Sequence, residues 1–339
     1  MNEIVNDRLA MPLPAVIAEA IMLEMERDDA IVCIGEDIGR AGGVFGATRG
    51  LQERFGAERV LDAPIAEMAF TGMGVGLAQA GMRPLIEIMF ADFIGVCLEQ
   101  VYNAAAKIHY MSGGRQRMPI VYKTAGGCIG SAAQHSQALW GLFAHLPGLK
   151  VVAPCSPHDH KGLMAAALRS DDPVVFIEHK ALLLSKGRDF RHHPDIPDAA
   201  YTVPIGQAAV VRQGTDVTLA TLSASVEHAL EAAQTVDAEG ISVEVIDLRS
   251  VVPLDSDTVA QSAARTGRLL VVDEDYLSFG LSAELSMRVL ESLGFDALRQ
   301  IGRLAVPDVP IPAALSLEKA VMPGVDAITE HLRAMAKGS

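Results

Sequence analysis

The chain has 339 residues, half of them apolar, which exceeds what a single hydrophobic core usually supports and predicts two globular domains. A formal charge of −14 argues against nucleic acid or an anionic membrane surface as a partner and suits a basic protein instead. No run is long and apolar enough for a membrane span, and MNEIVNDRLAMPLP lacks the basic-then-apolar layout of a secretory signal, so a soluble, cytoplasmic protein is expected.

Leu13, Ile17, Ala20, Ile21 and Met25 share one helical face, and the apolar run 30–34 reads as a buried strand ended by Gly35-Glu36-Asp37. Gly39, Gly42, Gly43 and Gly46 then form a loop, either mobile or a close-approach surface for another chain, before the amphipathic stretch 48–55. From Arg59 to Phe93 the pattern is strand, proline-containing turn, glycine-rich helix, strand and aromatic-acidic turn. A helix is expected to continue over 93–109, followed by strands at 118–123, 149–153 and 174–177 and a helix over 157–168. This alternation predicts an α/β fold, a parallel sheet covered by helices on both faces.

Residues 186–203 change character, with charges, prolines and no hydrophobic period, and are expected to link a domain 1–185 to a domain 204–339. A second α/β unit follows, with strands at 217–222, 243–248 and 269–273 and helices over 226–238, 257–265 and 282–293. The closing segment, 307–312, leads into an amphipathic helix ending near residue 336.

Glu67 stands where a strand gives way to a helix. It has two readings there: a first-turn carboxylate complementing the helix dipole, or an acid at a strand's carboxyl end, where open parallel sheets bind ligands. Its neighbours from Ala63 to Phe70 supply no cation, a setting that raises a carboxyl pKa and favours general acid/base work. Gly72, Gly74 and Gly76 fail the dinucleotide fingerprint because Leu77 stands where glycine or alanine is required; they point instead to close approach by another helix or a ligand. His135 follows a glycine-rich loop between Gln134 and Ser136-Gln137, as a satisfied polar residue or an oriented imidazole. Ser136 lies in no nucleophile elbow. His158 and His160, and His192 and His193, lack a third ligand for a metal site. Cys33, Cys97, Cys128 and Cys155 are scattered without a CxxC pair, which predicts reduced, mostly buried thiols. Met89, Phe90, Asp92 and Phe93 close the strand after Glu67's helix, as core aromatics or as a rim that stacks on a planar heterocycle. No phosphate-binding motif accompanies them, so this chain would hold only half of a phosphorylated coenzyme.

GED at 35–37, GGVFGATRGL at 42–51, DAPIAE ending in Glu67, GMRPLIEIMFADF at 81–93, AAQHSQ at 132–137, PGLKVVAP at 147–154, DHKGLM at 159–164, DPVVFIEHK at 172–180 and VIDLRSVVPLD at 245–255 occur together and in order. In this the chain resembles the beta subunits of the first component of 2-oxo acid (pyruvate or branched-chain) and acetoin dehydrogenase complexes. The resemblance implies a transketolase-like fold with a pyrimidine-binding domain and a C-terminal domain. It implies thiamine diphosphate as coenzyme, shared with an alpha subunit that holds the diphosphate and magnesium. Glu67 matches the glutamate that protonates the pyrimidine ring nitrogen, Phe93 the aromatic that stacks on that ring, and Ile65 and Met89 residues lining its pocket. His135 matches the histidine implicated in acyl transfer to a lipoyl group.

The same resemblance implies a heterotetramer of two alpha and two beta chains with a beta–beta contact, docking of a dihydrolipoyl acyltransferase core on the C-terminal domain, and oxidative decarboxylation of a 2-oxo acid or cleavage of acetoin. Some relatives hold potassium on backbone carbonyls, and the matching positions are Ile120, Ala167, Leu168, Ser170 and Asp172, with Ser170 replacing a commoner aspartate. Ala63, His160 and Leu183 depart from the usual threonine, alanine and tyrosine. The rival readings are a free-standing transketolase-type thiamine enzyme and a non-catalytic assembly subunit of the same fold.

Overall fold

The computed structural model describes residues 7–192 and 194–337. Residues 1–6 of the N-terminal stretch and His193 lie outside the described residues. The chain forms two compact units, one of residues 1–126 and 142–205, the other of 127–141 and 206–339.

In the first unit the elements are α1 (Leu13–Arg27), β1 (Ile31–Gly35), α2 (Leu51–Phe55), β2 (Val60–Asp62), α3 (Glu67–Gln79), β3 (Arg83–Ile88), α4 (Ala106–Met111) and β4 (Val121–Gly126). Trp140–Ala144 (α5), β5 (Lys150–Val152), α6 (Pro157–Leu168), β6 (Val174–His179) and α7 (Lys180–Leu183) follow. Its strands run β5-β6-β4-β3-β1-β2, all parallel. β1, β4 and β6 are buried along their whole length, which is why they read as continuous apolar runs rather than alternating ones. α1 packs on α6, where the buried Glu24 is gripped by Arg27 and Arg169 at 2.7 and 2.6 Å.

The single helix expected over 93–109 is a succession: a 3-10 segment Ala91–Cys97, a π segment Gln100–Ala105, then α4. Burial explains the change, since the buried positions Ala91, Ile94 and Cys97 recur every third residue and Cys97, Val101 and Ala105 every fourth. A three-residue repeat suits the 3-10 turn, and a longer one the wider helix.

The stretch 186–203 lies against the first unit. Lys161 Nζ donates to the carbonyls of Pro197 and Asp198, Val203 N donates to Gly162 O at 3.0 Å, and the Tyr201 ring sits 4.8 Å from that of His158. Backbone groups and the irregularly spaced Phe190, Ile196, Tyr201 and Val203 make or bury these contacts, so no hydrophobic period announces them.

The second unit comprises β7 (Ala209–Arg212), β8 (Val217–Thr221), α8 (Ser225–Asp237), β9 (Val243–Asp247), β10 (Ser250–Val252), α9 (Ser256–Thr266), β11 (Arg268–Tyr276), α10 (Leu281–Leu293), β12 (Gln300–Val306), α11 (Leu315–Val321) and α12 (Val325–Lys337). Its sheet runs β12-β11-β8-β9-β7, parallel except for β7 against β9. The edge strands β7 and β12 escape the sequence pattern because they are half-exposed and carry arginine and glycine.

Candidate active site

In the first sheet β1 pairs with β2 on one side and β3 on the other, with β4 and β6 beyond β3. The strand order reverses there, so a crevice is expected outside the carboxyl ends of β1 and β3. Gly35 and Glu87 stand opposite each other at those ends. Glu36 follows β1, Met89 and Phe90 follow β3, and Glu67 opens α3, the helix that carries the chain from β2 back to β3. Packing fixes that helix: a Cβ on Gly74 would come within 2.6 Å of Ile86 Cδ1 on β3, so only glycine allows this approach.

Glu36 and Glu67 form a pair of neighbouring carboxylates. Glu36 is buried and accepts the Ala66 backbone N–H, and its Oε1 has no hydrogen-bond partner among the described residues. Burial, then the nearby Glu67 charge, raises the Glu36 pKa. Sequence reading treated Glu36 only as the end of a strand; the signal it missed is an acid directly after a strand at the reversal point. Glu67 itself is half-buried at the first position of α3, and Ile65 beside it is 85% exposed. Cys97 is buried close by, and burial, with the Glu67 charge, pushes its thiol up, which favours the neutral thiol over the thiolate.

The rim is aromatic. Phe90 meets Phe93 edge-on at 5.3 Å and Phe45 at 6.3 Å, and Lys180 Nζ lies 5.2 Å from the Phe90 ring centre. Phe45 comes from the glycine loop, which folds on its own unit: Gly39 N donates to Asp62 Oδ1 at 2.7 Å. Within the sheet, Lys123 Nζ lies 3.0 Å from both Glu87 and Glu178. Burial works against the Lys123 charge, but the two carboxylates outweigh it and hold its pKa above the usual lysine range, while burial pushes Glu178 up to about 7.

His135 belongs to the 127–141 segment of the second unit, whereas Glu67, Ile65, Met89 and Phe93 belong to the first. It is half-buried, and its backbone N–H donates to Ala132 O at 3.3 Å.

All five carbonyls matched to potassium already accept protein donors. Arg83 donates to Leu168 O at 2.9 Å and Ser170 O at 2.6 Å, Val174 N to Ile120 O, Ser170 N to Ala167 O and Ser170 Oγ to Asp172 O. Arg83 already brings positive charge to two of these five carbonyls, which opposes a second cation beside them. Among the described residues no group of three or more His, Cys, Asp or Glu side chains could hold a metal ion, and no helix is long and apolar enough to cross a membrane.

Residues 10–185 match the family model described as transketolase, pyrimidine binding domain, and residues 206–328 match transketolase, C-terminal domain. A relative in Cupriavidus necator, acetoin:2,6-dichlorophenolindophenol oxidoreductase subunit beta, is 43% identical, covering 95% of this chain and 96% of its own length. The 2-oxoisovalerate dehydrogenase subunit beta of Bacillus subtilis is 44% identical over 94% of this chain and 96% of its own. The pyruvate dehydrogenase E1 component subunit beta of Rickettsia felis is 41% identical, with 94% and 95% covered. Among solved structures, a split-gene transketolase described as an inactive beta4 tetramer superposes with a TM-score of 0.76 at 21% identity, covering 96% of this chain and 98% of its own, a likeness of fold. With both domain types matched and these identities held over nearly its whole length, the chain belongs to the family of transketolase-like beta subunits of 2-oxo acid and acetoin dehydrogenases.

Proposed function

We propose that this chain is the beta subunit of a thiamine diphosphate-dependent 2-oxo acid or acetoin dehydrogenase and supplies the aminopyrimidine half of a site shared with an alpha subunit. The observation that carries this reading is Glu67 at the head of α3, beside the buried Glu36 and an aromatic rim at the reversal point of a parallel sheet. A carboxylate and flat rings fit a protonatable nitrogen heterocycle, and the family resemblance implies that the diphosphate and magnesium are held by the alpha chain. When bound, the coenzyme supplies the electron-sink chemistry for cleavage next to the carbonyl.

In this reading Glu67 holds the proton at the pyrimidine ring nitrogen. Glu36 stands beside it, its own pKa raised by burial and then by the Glu67 charge. Phe93 stacks on the ring, Met89 and Ile65 line its pocket, and His135 serves acyl transfer to a lipoyl group. The partner chains are two alpha subunits and a second beta subunit, and the acyltransferase core docks on the C-terminal domain. Support for partner contacts on this unit comes from the exposed apolar side chains that α3 and the segment after it carry, Met68, Met73, Val96, Tyr110 and Met111, with Ile65 just ahead of α3.

The test is co-expression with an alpha subunit, titration with thiamine diphosphate and magnesium, and dye reduction with acetoin, pyruvate and branched 2-oxo acids. Turnover should require both chains, and Glu67→Gln should lower it by about a hundredfold or more. Full turnover by Glu67→Gln would remove the catalytic assignment, and tight coenzyme binding by this chain alone would favour a free-standing enzyme.

A further inference from the structure

The loop that carries His135 has little backbone bonding of its own. Gly127 N donates to Gln137 O and His135 N to Ala132 O, both at 3.3 Å, while Gly127, Gly130 and Ala132 all take left-handed backbone angles. Side chains from the rest of the second unit hold it as well, among them Tyr276, whose hydroxyl donates to Gln137 Oε1 at 3.3 Å. At its far end, Trp140 Nε1 donates to Asp273 Oδ1 and Gly141 N to Asp275 Oδ2, both at 2.8 Å.

On the N-terminal side of His135 the grip comes from α11. Leu315, Glu318 and Met322, the last at its C-cap, share one helical face, and each meets the loop. Both Glu318 carboxylate oxygens receive the Gly130 backbone N–H, at 3.1 and 3.0 Å, with Glu318 only 5% exposed. Met322 Sδ lies 3.4 Å from Cys128 Sγ, whose thiol also donates to Ser136 O at 3.5 Å. Leu315 closes over Gly130, where a Cβ would sit 2.7 Å from Leu315 Cδ2, and the φ of +81° excludes most side chains independently. The only charged group in this clamp is spent on a single backbone N–H just ahead of the histidine.

We propose that Glu318 is a positioning residue for acyl transfer: its carboxylate sets the path of the 127–137 loop and thereby the place of the His135 imidazole. The inference rests on His135 serving transfer to lipoyl. It requires loss of Glu318 to impair that half-reaction selectively, because displacing a reacting group by about 1 Å can cost as much as a hundredfold.

The experiment uses the assembled alpha–beta enzyme and compares Glu318→Ala, Glu318→Gln and His135→Ala in two assays. One is dye reduction, which needs no lipoyl group; the other is acylation of a free lipoyl domain. Glu318→Ala should slow lipoyl acylation about tenfold or more with dye reduction within about twofold, and Glu318→Gln, which keeps one acceptor for Gly130 N, should recover most of it. The fluorescence of Trp140, the only tryptophan, should shift with Glu318→Ala and return with Glu318→Gln. Unchanged acylation in Glu318→Ala, or a parallel fall of both assays, overturns the positioning role. Normal acylation in His135→Ala removes the histidine assignment beneath it, whereas normal acylation in Glu318→Ala alone removes only the present inference.

Discussion

His160 shows how a departure from the family pattern acquires a physical consequence. It is wholly buried on α6, its Nδ1 bonded to Ser156 O at 2.9 Å and its Nε2 without a partner among the described residues. The neutral ring donates from Nδ1, and burial outweighs the help that Ser156 O and the Asp159 charge would give the cation. Burial first, then Lys123 and His179, opposes the charge and pushes the pKa down to about 4. In the unfolded chain the ring titrates near 6.5, so the stability it confers is complete above that pH and is lost as pH falls towards 4, by an order of 3 kcal/mol. Melting temperatures of His160→Ala against the parent should therefore show a deficit at pH 7.5 that narrows or reverses by pH 5. A pH-independent difference would mean the ring acts through packing alone. At this scale the sequence exposed Glu67, Phe93 and Met89 through their strand-end positions. It concealed Glu36 and Glu318, whose roles depend on which strands and helices become neighbours.

In α3 three glycines that look alike in sequence separate in space. Gly74 is committed to β3 through Ile86, whereas a Cβ on Gly76 would meet nothing within 4 Å. Gly76 thus gives up helix propensity without any gain inside the chain, a loss that close approach of a helix from a partner chain would offset. Gly76→Leu should leave the isolated chain as stable or raise it by up to about 1 kcal/mol, yet prevent co-purification with the other subunits. Gly74→Val should instead destabilise the isolated chain by about 1–3 kcal/mol through overpacking. Thermal melts and size-exclusion chromatography read both. The regular elements α1, α6, β1, β4 and β6 were legible because full burial or helical spacing marks them. The 3-10 and π segments after β3 were not, since a change of repeat from three to four is invisible until burial is known.

For the whole molecule, the charge of −14 would make the proposed association with a basic module of an acyltransferase core depend on screened attraction. Raising salt from about 0.05 to 0.5 M should weaken binding of the acyltransferase core by roughly tenfold or more, read by calorimetry. Salt-independent affinity would assign that contact to apolar burial. Both sheets could be foreseen from alternating strands and helices, but the division of the chain could not. After β4 the backbone leaves the first unit, contributes residues 127–141 to the second and then returns. Severing the chain between residues 205 and 206 would therefore leave the C-terminal fragment without the segment bearing Trp140 and Gly130, the backbone donor to Glu318. Gene fission or domain shuffling at that obvious seam would yield an incomplete second half, and exchange of that half between related enzymes would have to carry the inserted piece with it.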